Sequence, residues 1–137
     1  MTARDAVIES LERAAERAGD ITPLVYERYF ARCPDSAALM KLTDQHMRGR
    51  MIAEVLRLVM SDDVGNDRSY LRFETRTHET YGVMPAMYPH LLEGLREAVR
   101  ESLGGAWNDA YERAWNERLA VLSTEIASAV GALRTAG

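Results

Sequence analysis

Residues 44–60 read DQHMRGRMIAEVLRLVM and carry the clearest periodicity in the chain. Their apolar side chains recur at the 3.6-residue spacing of an α-helix, with basic residues between them. This pattern predicts an amphipathic helix over 44–60 that turns one apolar face toward a core. The apolar positions are Met47, Met51, Ile52, Val55, Leu58 and Val59.

The same helical spacing extends in both directions along the chain. Upstream it predicts helices over 3–18 and from Thr22 to just before Pro34, followed by a short turn over 34–40. Downstream, the polar residues 61–68 indicate a loop, and Gly82 breaks the helix that contains His78. Two further helices are predicted over 85–103 and 108–134, and no segment alternates with period two for long enough to form a strand. The sequence therefore predicts an all-α fold.

Length and composition narrow the class of protein further. The chain has 137 residues, of which 47% are hydrophobic, so we expect a single domain over 1–137. Its formal net charge is −4, and we therefore expect no nucleic-acid partner. The single cysteine, Cys33, excludes an internal disulfide framework and fits a reducing cytoplasm. We find no apolar run near the roughly 18 residues of a membrane span, and therefore expect no membrane partner.

Few residues suggest chemistry. The chain has no phosphate-binding glycine loop, nucleophile elbow or zinc-protease motif. Among the histidines, His90 follows Pro89 at a helix start, His46 opens the helix over 44–60, and His78 ends a polar helical turn before Tyr81-Gly82. A lone histidine is usually structural, and the methionines have two interpretations: adaptable core filling, or the wall of a pocket for a large, flat, apolar ligand.

Several segments, taken in order, resemble the globin family, in particular bacterial single-domain globins and the globin domain of flavohaemoglobins. The resemblance covers most of the chain, and it depends on the order and spacing of the segments together. The segments are Val25–Phe30 followed by Pro34, the helix over 44–60, His78–Val83, Tyr88, Leu91–Leu95, Leu103-Gly104 and Ala114-Trp115.

The resemblance implies a globin-like three-over-three helical sandwich that holds haem b, with His78 as the proximal ligand to iron. A neutral imidazole is a good iron ligand, and its second nitrogen needs an acceptor that fixes the ring. Tyr26 matches the distal tyrosine, whose hydroxyl would donate a hydrogen bond to bound O₂. Leu71 and Val83 match positions that pack on the porphyrin, and Tyr88 matches a tyrosine near the proximal histidine.

In the same resemblance, the helix over 44–60 is the distal helix, Met47 takes the position that is usually His or Gln, and Met51 lies one turn later. Arg50 would then reach a haem propionate. A shift of one residue would instead make His46 distal. Three residues depart from the family pattern. Met40 replaces the phenylalanine that wedges the haem, Glu74 replaces an apolar residue, and Glu125 lies five residues before the position of the glutamate that pairs with the proximal histidine.

The leading functional hypothesis is a haem protein that reversibly binds O₂, NO or CO, for storage, NO scavenging with a separate reductase, or sensing. The alternatives are a small redox or peroxidase-like haem protein, with His46 as acid–base group, and a haem-less globin-fold interaction module. The apolar helices over 85–103 and 108–134 could also expose a homodimer face.

Overall fold

The computed structural model describes residues 2–61 and 67–136, with side chains through residue 131. Within these ranges the chain is helical and contains no strand, which confirms the predicted all-α class. None of the helices in these ranges is long and apolar enough to cross a lipid bilayer. The helices are α1 (Ala3–Ala18), α2 (Thr22–Arg32), α3 (Pro34–Leu39), α4 (Gln45–Val59), α5 (Arg68–Thr80), α6 (Met87–Leu103) and α7 (Asp109–Ala136).

Most helix ends lie within two residues of the predicted positions, and the main difference is at α3. The segment predicted as a turn over 34–40 forms the short helix Pro34–Leu39. Pro34 occupies its first position, where the fixed φ of proline suits a helix and its missing N–H is not needed. The predicted loop over 61–68 ends at Arg68, where α5 begins, and its residues 62–66 lie outside the described residues.

The long helices form two layers of three. In one layer, α6 packs against both α2 and α7. In the other, α1, α4 and α5 each pack on α7, and α1 also packs on α6. This arrangement is the predicted three-over-three sandwich. Met51 lies on α4 and His78 on α5, and both of these helices pack on α7.

Two helix backbones approach each other closely where α6 crosses α2. A Cβ atom built on Gly94 would lie 3.0 Å from the backbone nitrogen of Tyr29 and 3.2 Å from its Cα. Glycine therefore lets the two backbones meet. On the exposed side of this contact, Arg28 forms a two-pronged ion pair with Glu101, with a shortest N–O distance of 2.7 Å, and Arg32 pairs with Glu97.

The core centres on Trp115 of α7, which is fully buried. Its indole Nε1 donates a hydrogen bond of 2.9 Å to the hydroxyl of Ser10 in α1, and Ser10 donates to the carbonyl oxygen of Val7 at 2.7 Å. Ser10 is buried although it is polar, because both its donor and its acceptor capacity are used. This buried polar pair links two helices that are far apart in the sequence.

The apolar face of α4 only partly enters this core. Ile52, Leu58 and Val59 are buried as predicted, whereas 43% of Met47 is exposed. Arg118 of α7 donates to the carbonyl oxygens of Val59 and Ser61, at 3.0 and 2.6 Å, and so holds the end of α4 in place. The beginning of α4, which carries Met47, therefore lies farther from the core than its end.

Candidate functional site

The ring of His78 has a fixed orientation at the end of α5. Its Nδ1 atom lies 2.6 Å from the carbonyl oxygen of Glu74, one helical turn earlier. A carbonyl oxygen can only accept a hydrogen bond, so Nδ1 carries a proton and Nε2 is the ring nitrogen left for another partner. The side chain is 35% exposed. His78 is thus a partly accessible imidazole in the tautomer that a metal ion at Nε2 requires.

Glu74 has two contacts with His78. Besides the carbonyl contact, its carboxylate Oε2 lies 3.7 Å from His78 Nδ1. Glu74 departs from the apolar residue of the family pattern, yet α5 is a regular α-helix from Arg68 to Thr80, with Leu71 and Thr75 buried. The charged side chain is tolerated because it is half-exposed at the edge of the helix.

The corner after α5 turns sharply and meets α3. Gly82 has φ +91°, a conformation that favours glycine, and the amide of Val83 donates to the carbonyl oxygen of His78 at 3.0 Å. A Cβ atom on Gly82 would lie 3.2 Å from Cδ2 of Leu39. The corner that follows His78 therefore packs against the end of α3, with Val83 half-buried.

Tyr26 of α2 is buried and directs its hydroxyl to α4. The hydroxyl donates to the carbonyl oxygen of Arg48 at 3.3 Å and lies 3.7 Å from the sulfur of Met51. Burial raises the pKa of Tyr26 to about 12, and the positive charge of Arg48 opposes this rise. The phenol is therefore neutral at physiological pH and acts as a hydrogen-bond donor. The structure brings the predicted residues Tyr26 and Met51 into contact.

Arg48 joins the same group of residues, although it is not among the site residues predicted from the sequence. Its guanidinium carbon lies 5.4 Å from the ring centroid of Tyr26 and 5.2 Å from that of Phe30. Its Nε donates to the hydroxyl of Thr43 at 2.9 Å, and its Nη2 donates to the carbonyl oxygen of Met40 at 3.2 Å. Periodicity assigns Arg48 to the polar face of α4, and these partners lie outside that helix, so no local pattern indicates them.

The other predicted site residues occupy different environments. Leu71 is buried in the core, and Met40 is half-buried against it. His46, Met47 and Arg50 are exposed near the start of α4. The exposed large apolar side chains among the described residues are mostly found on α3, the start of α4 and the corner after α5: Leu39, Leu42, Met47, Tyr81 and Met84, with Phe73 and Val121 elsewhere.

Tyr88 is half-buried near the start of α6. Its hydroxyl is buried and has no hydrogen-bond partner among the described residues. Burial raises its pKa to about 12, and the nearby groups of Tyr29, Glu74 and Glu79 add to the rise. Tyr88 also lines a cavity of about 270 Å³ between α6 and α7. Val130 is part of the same lining, whereas His78 and Tyr26 are not.

Glu125 of α7 has an ion pair of its own. Its carboxylate lies 3.2 Å from Nε of Arg68 at the start of α5. The structure therefore gives Glu125 a role in holding α5 on α7. The carboxylate that contacts His78 belongs to Glu74 instead.

Within residues 2–61 and 67–136, no group of three or more His, Cys, Asp or Glu side chains could hold a bare metal ion. A haem iron needs only one axial ligand from the protein, because the porphyrin supplies four nitrogens. His78 meets this requirement with its Nε2 atom, so the donor set of the site suits a haem iron.

Comparison with known proteins supports the fold. No family model matches the chain, and no curated protein sequence matches it. Among solved structures, the chain is similar to a protein from Pseudomonas aeruginosa PAO1 that is described as structurally highly homologous to a human hemoglobin. The TM-score is 0.76 at 22% sequence identity, over 93% of this chain and 98% of that chain. The chain therefore has a globin-like fold.

Proposed function

We propose that this chain binds haem b through His78 and reversibly binds a diatomic gas, O₂, NO or CO, on the side of Tyr26. The observation that carries the proposal is the hydrogen bond of 2.6 Å from His78 Nδ1 to the Glu74 carbonyl oxygen. It fixes the ring and leaves Nε2 available to coordinate iron. When bound, haem would supply an iron that takes up the gas.

Exposed apolar side chains on α3, on α4 and after α5 also support the binding of a large apolar cofactor. Leu39, Met47 and Met84 are each more than 40% exposed, and they lie on three segments: α3, the start of α4 and the corner after α5. Apolar side chains in water are unfavourable, so covering them with a porphyrin would stabilise the protein. Arg50, exposed on α4, is available for a propionate.

Tyr26 would supply the hydrogen bond that favours O₂. Its acceptors in the protein are weak: one carbonyl oxygen at 3.3 Å and one thioether sulfur at 3.7 Å. A ligand that gains partial negative charge is a better acceptor, so the hydroxyl would turn to it at little cost. Storage of O₂, or NO scavenging with electrons from a separate reductase, would both use this donor.

The experiment is an absorption spectrum of the chain supplied with haem, recorded ferric, then reduced, then under CO. We expect a Soret band that shifts under CO. His78→Gly should lose stable haem, and added imidazole should restore the band by replacing the missing ligand. His90→Gly is the matched control, because His90 is a half-buried histidine on α6 with no role in the proposed site, and it should keep the wild-type spectrum.

Two outcomes would contradict the proposal. A wild-type chain that takes up no haem would show that the globin-like fold serves another role here. A His78→Gly protein with an unchanged spectrum would place the iron ligand at a different residue.

A further inference from the structure

Arg48 is the one basic side chain of the described residues that contacts the Tyr26 ring, and its position is fixed from several sides. The guanidinium carbon lies 5.4 Å from the centroid of the Tyr26 ring. Hydrogen bonds to the Thr43 hydroxyl and the Met40 carbonyl oxygen, at 2.9 and 3.2 Å, hold the guanidinium there. Arg48 is half-buried, so solvent screens its charge less than that of a surface arginine.

A cation over an aromatic face acts on the electrons of the ring. The ring quadrupole attracts the guanidinium, and a nearby positive charge stabilises negative charge on the phenol oxygen. The O–H bond is consequently more polar, and the hydroxyl is a stronger hydrogen-bond donor. Phe30 lies on the same guanidinium at 5.2 Å and has no hydroxyl, so this effect reaches only one donor.

Arg48 also contacts the hydroxyl itself through its main chain. The Tyr26 hydroxyl donates to the Arg48 carbonyl oxygen at 3.3 Å, which is long for an O–H donor. The same residue thus polarises the phenol with its side chain and holds its hydroxyl weakly with its backbone. The donor is oriented toward α4, and little energy is needed to release it.

We propose that Arg48 is a positioning residue that sets the donor strength of Tyr26 and thereby determines how strongly the site favours O₂ over CO. The proposal rests on the proposed function for its effect on gas binding. O₂ gains partial negative charge on binding and responds to a stronger donor, whereas CO gains little.

The test compares Arg48→Gln, which removes the charge, with Arg48→Lys, which keeps it. Arg57→Gln is the matched control, because Arg57 lies on the same helix and over the ring of a different tyrosine, Tyr70, at 4.9 Å. In the haem-loaded protein we expect O₂ to dissociate about two- to fivefold faster from Arg48→Gln, with a smaller change in Arg48→Lys. The CO dissociation rate should stay unchanged, and Arg57→Gln should match wild type in the O₂ rate.

A double-mutant cycle separates this role from a structural one. In a Tyr26→Phe background, where O₂ dissociation is already faster, Arg48→Gln should have no further effect because the hydroxyl is absent. If Arg48→Gln still speeds O₂ release there, or speeds CO release equally, Arg48 acts through the shape of the pocket and the proposal is wrong.

A measurement on the haem-free protein keeps the two proposals distinguishable. The chain is labelled with 3-fluorotyrosine, whose phenol titrates at lower pH, and the Tyr26 signal is identified by its loss in Tyr26→Phe. Arg48→Gln should raise the pKa of this phenol, and Arg57→Gln should not. An unchanged pKa would overturn the role of Arg48 even if wild type binds haem, and a raised pKa would uphold the contact even if haem is never bound.

Discussion

At the scale of the residue, two tyrosines near the crossing of α2 and α6 differ in whether the hydroxyl group has a hydrogen-bond partner. The hydroxyl of Tyr29 accepts a hydrogen bond of 2.6 Å from the hydroxyl of Ser36, whereas the buried hydroxyl of Tyr88 has no partner among the described residues. A buried polar atom without a partner costs on the order of 1 to 3 kcal/mol. The protein therefore keeps the Tyr88 hydroxyl at the expense of stability.

Replacing each of these tyrosines with phenylalanine should affect stability in opposite directions. We expect Tyr88→Phe to keep or raise the free energy of unfolding, by up to about 1 kcal/mol, because it removes an unsatisfied group. Tyr29→Phe should lower it by about 1 kcal/mol, because Ser36 loses its hydroxyl partner and keeps only the weaker contact with the sulfur of Cys33. Urea unfolding of both variants beside wild type measures this, and a clear loss of stability in Tyr88→Phe would reveal a hydrogen bond to that hydroxyl.

Single residues also mark how far the sequence can predict the site. His78 and Tyr26 follow from a resemblance in motif, and in the structure each side chain is held by a hydrogen bond to a carbonyl oxygen. Arg48 does not follow from it, because its partners Tyr26 and Phe30 lie on α2, which α3 separates from α4 along the chain. Helical periodicity reports which face a residue occupies and carries no information about its contacts on another helix.

At the scale of the element, the pairing of α2 with α6 depends on Gly94. The backbone of α2 occupies the space that a side chain would need, at 3.0 Å from the position of a Cβ atom. Gly49 in α4 has no atom within 4 Å of that position. Substitutions at Gly94 and Gly49 can therefore separate the effect of packing from the effect of helix propensity.

Gly94→Ala should lower the free energy of unfolding by about 1 to 3 kcal/mol, because the clash with the α2 backbone exceeds the gain in helix propensity. Gly49→Ala should raise it by about 0.5 to 1 kcal/mol, because only the propensity changes. The measurement is the midpoint of urea unfolding for each variant. Equal stabilisation by both substitutions would mean that α6 can move away from α2 without loss.

Elements differ in how well the sequence predicts them. α4 and α6 follow from long apolar stripes, but no feature of the α4 stripe indicates that Met47 is exposed while Ile52 is buried. Exposure along one stripe depends on how the helix tilts against its neighbours, here on the hold of Arg118 on the end of α4. The sequence predicts α3 only as a turn, because its six residues are too few to show periodicity.

At the scale of the whole molecule, buried phenols make stability depend on alkaline pH. The folded protein raises the pKa of Tyr26, Tyr70 and Tyr88 from 10.0 to about 12, with burial as the largest cause for each. The folded state therefore keeps protons that the unfolded chain releases at lower pH. The resulting stabilisation is complete below about pH 10 and is lost as the pH rises toward about 12.

We expect the free energy of unfolding to fall steeply with pH between about pH 10 and pH 12. The Tyr26→Phe, Tyr88→Phe double variant should show a shallower fall, because two of the three groups no longer titrate. Urea unfolding at a series of pH values measures the slope. A double variant with the wild-type slope would show that these phenols already reach water in the folded state.

The overall topology can be predicted because helical periodicity and the order of motifs are visible in the sequence, whereas contacts between distant residues are not. Five of the seven α-helices in the described part of the chain follow from periodicity, and Gly82 indicates the end of a sixth. The order of motifs indicates how globin helices stack into two layers. The buried pair of Ser10 and Trp115 is beyond prediction, because a serine among the polar residues of α1 has no local feature that marks it as buried. Long-range pairing of this kind depends on the assembled layers.

The pair of Ser10 and Trp115 also has a consequence for the newly made chain. The two residues are separated by 105 positions, and α1 packs on α6 and α7. At typical rates of synthesis, about 5 to 20 seconds pass between the translation of the first residue and that of the second. During this time α1 has none of its native partners from the second half of the chain. Nascent chains that end before α7 should therefore remain open to proteases and chaperones, and they should become resistant once Trp115 has left the ribosome.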